Sequence, residues 1–508
     1  MLLLGTFYIQ HKKNLAYKLT KMIRNILFIL CFTTLISCSK DEDLVVPGSV
    51  NPEATANVPV QDFMWKAMNF WYFWQQDVPK LADDAFLNTE EGVLEYTNFL
   101  MSKEDPADFF RNALQFSEDN FSFFEEDYTQ LIQSLSGVSR SNGVEFALMT
   151  FNNSNEIYGV VRYILPNSDA ASKDIKRGDI FTGVNGQTLT ASNFRSLLFG
   201  ADATYTLNMA VFEEGAIAET SKTVTLTKET AFAENPVFLT KILEVADQKI
   251  GYLVYNQFVR DYDDALYKAI SELRDGGITD LVVDLRYNLG GSVNSTRLLA
   301  SMIYGTDGDD LFLKKRYNSK IQAQLEKDQL EIYFTDKVGS TTINSLELKK
   351  VYVLTTSASA SASELLINCL DPYMNVIHIG DVTTGKNEFS TTMVDDRENT
   401  YLYSPSRINK IKEGNKWAIQ PLIGRNENSV GFSDYTGGIT PDIILREDIA
   451  NLGVLGATDE PLLARAIQEI TGVITNKRKR SVPKPFNTVY SSKMNNLLKD
   501  NMVDDTNY

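Results

Sequence analysis

The sequence predicts an α/β protein with a strand-and-helix core, a β-rich module ahead of it and a helical N-terminal region, and three observations carry that expectation. Residues 231–475 alternate strand and helix patterns. Residues 138–230 are dominated by short β-branched and aromatic runs punctuated by glycine and asparagine, and residues 59–137 by helical periodicity. A length of 508 residues fits two or three such units better than one core.

In the core stretch, Ile250–Tyr255 reads as a strand and Asp261–Leu273 as a helix with Ala265, Leu266, Ala269, Ile270 and Leu273 on one face. Leu281–Leu285 reads as a buried strand, Ser295–Tyr304 as a helix and Lys350–Leu354 as a further strand, the rhythm of βαβ units. In the middle stretch, Val144–Met149 and Tyr158–Ile164 read as strands. In the N-terminal stretch, Asp62 is a candidate cap for a helix over Phe63–Trp74, and Val93–Met101 and Tyr128–Leu135 read as helices. Three of the four tryptophans fall here, which suits a local aromatic core better than a dimer surface. Residues 476–508 follow the core as a C-terminal tail, with the run Lys477-Arg478-Lys479-Arg480 taken as a solvated linker.

A formal net charge of −17 argues against nucleic acid as a partner, because phosphate binding needs a basic face. The cysteines are Cys31, Cys38 and Cys369, too few for a disulfide framework in the processed chain. Cys369 reads as a small buried apolar residue. Nothing shows metal-ligand spacing, so no metal or organic cofactor is implied.

Met22-Ile23-Arg24-Asn25 followed by the apolar run Ile26–Ile36 has the form of a signal peptide, and 11 apolar residues are too few to span a bilayer as a helix. The run ends in Leu35-Ile36-Ser37-Cys38, which resembles the lipobox of bacterial lipoproteins. That resemblance implies a signal peptide over 1–37 starting at Met22, a lipid on Cys38, and a tether over 38–58. Ser39-Lys40-Asp41-Glu42-Asp43 resembles the surface-export signal of lipoproteins in some Gram-negative bacteria, or is a plain charged tether. The expected location is the cell envelope, with the protein membrane-anchored through Cys38, on the outer membrane and facing either the periplasm or the surface.

The chemistry-bearing segment is Thr355-Thr356-Ser357-Ala358-Ser359-Ala360-Ser361-Ala362-Ser363-Glu364, with a strand entering it and a helix, Glu364–Leu370, leaving it. A tight strand-to-helix turn of small residues exposes a side chain at a helix N-terminus, where N–H groups stabilise developing negative charge. On this segment alone a capping box with Glu364 explains Ser361 better than a nucleophile does. A serine nucleophile needs a base. The chain has two histidines: His11 precedes the apolar run, and His378 sits inside the strand pattern Val376-Ile377-His378-Ile379. A lysine can serve if it is desolvated enough to be neutral near pH 7, and Lys386 follows that strand across a short turn.

Ser-Ala-Ser-Ala-Ser-Glu over 359–364, with Gly380-Asp381-x-x-Thr384-Gly385-Lys386 after it, resembles the C-terminal processing (tail-specific) serine peptidases. Asp284-Leu285-Arg286-x-Asn288-x-Gly290-Gly291 and Gly438-x-x-Pro441-Asp442 match further motifs of that family. The resemblance implies Ser361 as nucleophile and Lys386, 25 residues later, as general base. It implies Ala362 with Gly290 or Gly291 as oxyanion donors, and a crotonase/Clp-protease-like fold for the core. Pro166-x-Ser168-x-Ala170-Ala171, Arg177-Gly178-Asp179-Ile180 and Val184-Asn185-Gly186 resemble a PDZ domain over 138–230. That implies peptide binding at Gly143, Val144 and Phe146, the peptide adding as a strand, although Glu145 stands where relatives often carry a second glycine. The family's glycine after the lysine and its orienting glutamine are Asn387 and Ser390 here, which leaves Ser390 as the candidate orienting residue. The expected activity is cleavage of polypeptides near their C-termini. The rival expectation is a catalytically silent, PDZ-containing, peptide-binding lipoprotein.

Overall fold

The computed structural model describes residues 53–151, 155–213, 216–305, 308–475, 486–495 and 501–505. The signal peptide, Cys38, most of the tether and the basic run 477–480 lie outside the described residues.

The core is a six-stranded sheet in the order 237–245, 248–255, 280–284, 350–355, 375–380 and 443–444. The first pair is antiparallel and every later pair parallel. Strand side chains alternate between faces. Tyr252, Val254, Val282, Tyr352, Leu354 and Ile379 pack against Leu462, Leu463, Ala466 and Ile467 of the helix Pro461–Thr471. On the other face Gly251 leaves room for Leu273 of the helix Asp263–Asp275. The parallel strands all end toward the same rim, so the loops 285–291, 356–361 and 381–386 emerge together, the usual place for a site in such a sheet.

A second six-stranded sheet lies in the order 291–292, 502–503, 388–390, 422–428, 311–317 and 331–333. It contains both the strand after the glycine pair and the strand after Lys386. The expected β module is a largely antiparallel sheet in the order 486–491, 144–151, 157–164, 180–184, 204–213 and 216–227, packed around Phe146, Leu148, Val161, Phe181, Leu207 and Leu226. The expected tail therefore supplies strands to two sheets, Phe486–Ser491 and Met502–Val503.

The N-terminal helix runs Pro59–Trp71, so Asp62 lies in its first turn and Val58 is its N-cap. Proline at the first helical position starts the helix, and the Asp62 carboxylate accepts from Lys66 Nζ at 3.0 Å and Tyr96 Oη at 2.7 Å instead of capping. The aromatics form a local core: Trp65 and Trp71 are buried and donate to the carbonyls of Lys80 and Thr400, both at 2.7 Å.

A buried ionic network joins the β module to the loop 285–291 of the core. Arg177 donates to Glu447 at 2.8 Å, and Tyr287 Oη lies 2.7 Å from the same carboxylate. Arg286 spans Asp284, Glu447 and Glu460 at 2.6–3.1 Å. Burial alone would raise the Glu447 pKa, but Arg177 and Arg286 outweigh it and hold it at about 2. A carboxyl held this low contributes stability that is fully present above its unfolded value of 4.5 and lost as pH falls toward 2. About 3 kcal/mol is at stake. Glu447→Gln should therefore flatten the loss of urea resistance between about pH 5 and about pH 3, while the native chain shows it in full.

Candidate active site

Ser361 is the residue on which the strand Lys350–Thr355 turns into the helix Ala362–Leu370. Its φ of +64° and ψ of −114° lie where a side chain with a Cβ is strained, and such strain persists only where surrounding bonds hold it. Those bonds come from the Ser/Ala run. Ser359 Oγ donates to Leu285 O at 2.8 Å, Ser363 Oγ to Asn288 O at 3.0 Å and Ala360 N to Asn288 O at 3.1 Å. Thr356 Oγ1 bonds Arg286 O. A segment that resembles low-complexity linker is thus stitched to the loop that carries the glycines. Ser361 Oγ is different: it is fully buried, and among the described residues only the Glu364 backbone N–H of the capping box approaches it. The capping box expected with Glu364 is present in both halves: the Ser361 side chain faces the Glu364 backbone N–H, and the Glu364 carboxylate accepts from Ser361 N at 2.6 Å.

Glu364 does more than cap. It also accepts from Thr383 Oγ1 and Gly385 N, both at 2.6 Å, and from Lys386 N at 2.9 Å. One buried carboxylate therefore ties the serine turn to the lysine loop. Burial raises its pKa, and the four donors work against that rise. Thr384 adds two bonds to the serine run, N to Ser359 O at 3.0 Å and Oγ1 to Ser357 O at 3.1 Å. The Gly438–Asp442 segment backs the loop, with Ile439 N donating to Thr383 Oγ1 at 2.7 Å. Lys386 is fully buried, its Nζ 5.1 Å from the centre of the Phe121 ring and 3.3 Å from Asn501 Oδ1.

The two loop glycines have separate parts. Gly290 N is bonded to Asn288 Oδ1 at 2.9 Å, so its N–H is spent within the loop. A Cβ on Gly290 would lie 2.6 Å from Ser361 Cβ and 2.8 Å from Oγ, so this glycine makes room for the serine. Gly291 N is not used within the loop and donates instead to Asn501 O at 2.5 Å. Ala362 opens the helix beside Ser361, two residues earlier than the expected start at Glu364. Ser390 meets the lysine through a shared partner: its Oγ donates to Asn501 Oδ1 at 3.1 Å and accepts from Gln420 Nε2 at 3.1 Å.

His378 lies within the strand Asn375–Gly380, its Nε2 2.5 Å from Thr355 Oγ1 and its backbone N donating to Asp442. Burial lowers its pKa to about 4. It is a structural histidine, and the strand-interior expectation for it holds. Cys369 is a buried free thiol, also as expected.

The expected peptide-binding residues are placed differently. Gly143 N bonds Ser141 Oγ at 3.0 Å and Val144 N bonds Asn142 Oδ1 at 3.1 Å, so these N–H groups are satisfied inside the loop rather than held open for a carboxylate. Phe146 N donates to Ser492 Oγ at 2.9 Å. Glu364, Phe121 and Asn501 were not reachable as site residues by sequence reasoning. Glu364 carried a signal, as the acid of the Ser/Ala motif, but one that a cap explained equally well.

The sequence pattern of Peptidase family S41 matches residues 249–444, and that of the Peptidase S41 N-terminal domain matches residues 59–123. A CtpA-like serine protease of Staphylococcus epidermidis is 23% identical over 387 residues, 75% of this chain and 68% of that protein. A carboxyl-terminal-processing protease of Picosynechococcus is 26% identical over 272 residues, 51% of this chain and 58% of that protein. The crystal structure of a Bacteroides fragilis protein assigned to the S41 proteases superposes with a TM-score of 0.61 at 25% identity, covering 83% of this chain and 99% of that one.

Proposed function

We propose that this chain, which belongs to the C-terminal processing serine peptidases, cuts polypeptides through a Ser361–Lys386 dyad. The observation that carries the reading is Ser361 itself: buried and strained, with a hydroxyl that no side chain among the described residues engages, and tied by Glu364 to the loop bearing Lys386. Lys386 in its neutral form takes the hydroxyl proton as Oγ adds to the scissile carbonyl carbon. Gly291 N–H and Ala362 N–H receive the oxyanion. The tetrahedral intermediate collapses to an acyl-enzyme, the protonated lysine supplies the proton to the leaving amine, and water hydrolyses the ester. Phe121 shields the lysine on one side, and Asn501 with Ser390 and Gln420 orders its surroundings.

Residues 138–230 act as a PDZ-like module, residues 59–137 as a helical N-terminal domain, and the protein works in the cell envelope held by a lipid on Cys38. Substrates are polypeptides cut near their C-termini, the activity named for the relative from Picosynechococcus. Protein C-termini read by proteomics, in cells carrying the native chain and cells carrying Ser361→Ala, test this. New termini confined to envelope proteins of the native cells are expected. Identical sets of termini would overturn the reading.

A further inference from the structure

Residues 486–495 and 501–505 lie across both places where a polypeptide substrate would lie. The first part, Phe486–Ser491, pairs antiparallel with Val144–Phe151, the strand on which the β module would accept a peptide. Tyr490 is buried among Phe194 and Phe199, with ring centres 5.3 and 5.5 Å away. Ser492 Oγ receives Phe146 N–H and bonds Glu145 at 2.6 Å. Burial pushes the Glu145 carboxyl up to about 7, consistent with a polar contact shut away from water.

The second part enters the nucleophile's cleft. Met502–Val503 lies as a strand between Gly291–Ser292 and Glu388–Ser390. Asn501 O is on Gly291 N–H at 2.5 Å, and Asn501 Oδ1 is on Lys386 Nζ at 3.3 Å. The same carbonyl lies 2.5 Å from where a Cβ on Gly290 would sit, as close as the Ser361 side chain does. Downstream, Met502 is fully buried and Asp504 pairs with buried Lys315 at 2.8 Å. Asp505 accepts from Ser292 Oγ at 2.6 Å and from Asn294 N at 3.0 Å, at the start of the helix Val293–Tyr304. Val503 borders a cavity of about 240 Å³ that also contacts Phe258 and Tyr403. A carbonyl on the proposed oxyanion donor, in a strand with its side chains in separate pockets, is what a bound substrate presents.

We infer that residues 501–505 occupy the active site as a substrate-like strand of the chain's own, with residues 486–492 on the β module, and that together they exclude other polypeptides until they are displaced. The pockets that residues 501–505 fill define the substrate: an apolar residue directly after the reacting carbonyl, then acids at the third and fourth positions. This rests on the Ser361–Lys386 reading and adds its regulation and substrate class. A tethered occupant acts at an effective concentration in the millimolar range, so a substrate in trans competes poorly against it.

The test follows the rate at which a fluorophosphonate modifies three proteins: the native chain, Met502→Asp, and a chain ending at Thr475. Met502→Asp puts a charge in a buried pocket and unseats the strand without shortening the chain. Both altered proteins should react at least about tenfold faster than the native chain. A synthetic peptide of residues 486–508 should slow the shortened protein again, and the same peptide with Asp504→Asn and Asp505→Asn should be about tenfold weaker. Equal rates in the native chain and Met502→Asp, both folded by circular dichroism, would overturn the inference and leave the dyad standing. No reaction in any of the three would overturn the dyad and the inference with it.

Discussion

Ser361→Ala and Lys386→Ala are each expected to lower kcat/KM for an unstructured polypeptide by about ten-thousand-fold, or about 5 kcal/mol of transition-state stabilisation. The double variant should be no worse than either alone. The reason is that the two side chains act in one step: a hydroxyl without its base and a base without its hydroxyl are equally idle. Independent roles would give losses that multiply. His378→Ala supplies the contrast. Its ring is engaged with Thr355 inside the sheet and held neutral by burial, so kcat should persist while stability falls. Steady-state kinetics of the four proteins, with tail-released Met502→Asp as the common background, reads all of these.

Glu364→Ala carries the second largest expected effect. The carboxylate accepts four hydrogen bonds, three of them from backbone N–H groups that have no water to turn to once it is gone. A buried donor left unsatisfied costs about 1–3 kcal/mol, so a loss of several kcal/mol in stability should follow. The catalytic loss is geometric. Glu364 sets the distance between the serine turn and the lysine loop, and a displacement of about 1 Å at such a site lowers the rate about a hundredfold. The drop should fall on kcat with KM little changed, because Glu364 acts by positioning Ser361 and Lys386 through their backbone N–H groups. Glu364→Gln should recover part of the stability but little of kcat, since its amide nitrogen would face donors rather than accept from them.

Much of the site was legible because it is local. The strand–turn–helix around Ser361, the glycine pair and the lysine after the next strand are each set by a few neighbouring residues, and it was the resemblance to the C-terminal processing peptidases that singled out the pair. The fold was legible for the same reason: the strands 248–255, 280–284, 350–355 and 375–380 fall within a few residues of their expected bounds. What escaped depends on contacts across hundreds of residues. Phe121 reaches Lys386 from the N-terminal region, and Asn501 from the opposite end of the chain. The sequence around 486–491 and 501–505 carries no helical or strand periodicity strong enough to read; the first strand exists because an open sheet edge receives it, and the second because it fits between two strands of the other sheet. Which glycine keeps a usable N–H turned on one side-chain bond, Gly290 N to Asn288, that spacing does not encode. Asp62 was a plausible cap only until Pro59 started the helix a turn earlier.

The most direct measurement is the site of covalent attack. Met502→Asp is treated with a fluorophosphonate and the adduct is mapped by peptide mass spectrometry. The account predicts one phosphonylated residue, Ser361, and no adduct when Lys386→Ala is added. An adduct on Ser357, Ser359 or Ser363, or an adduct on Ser361 that forms at the same rate without Lys386, would contradict it.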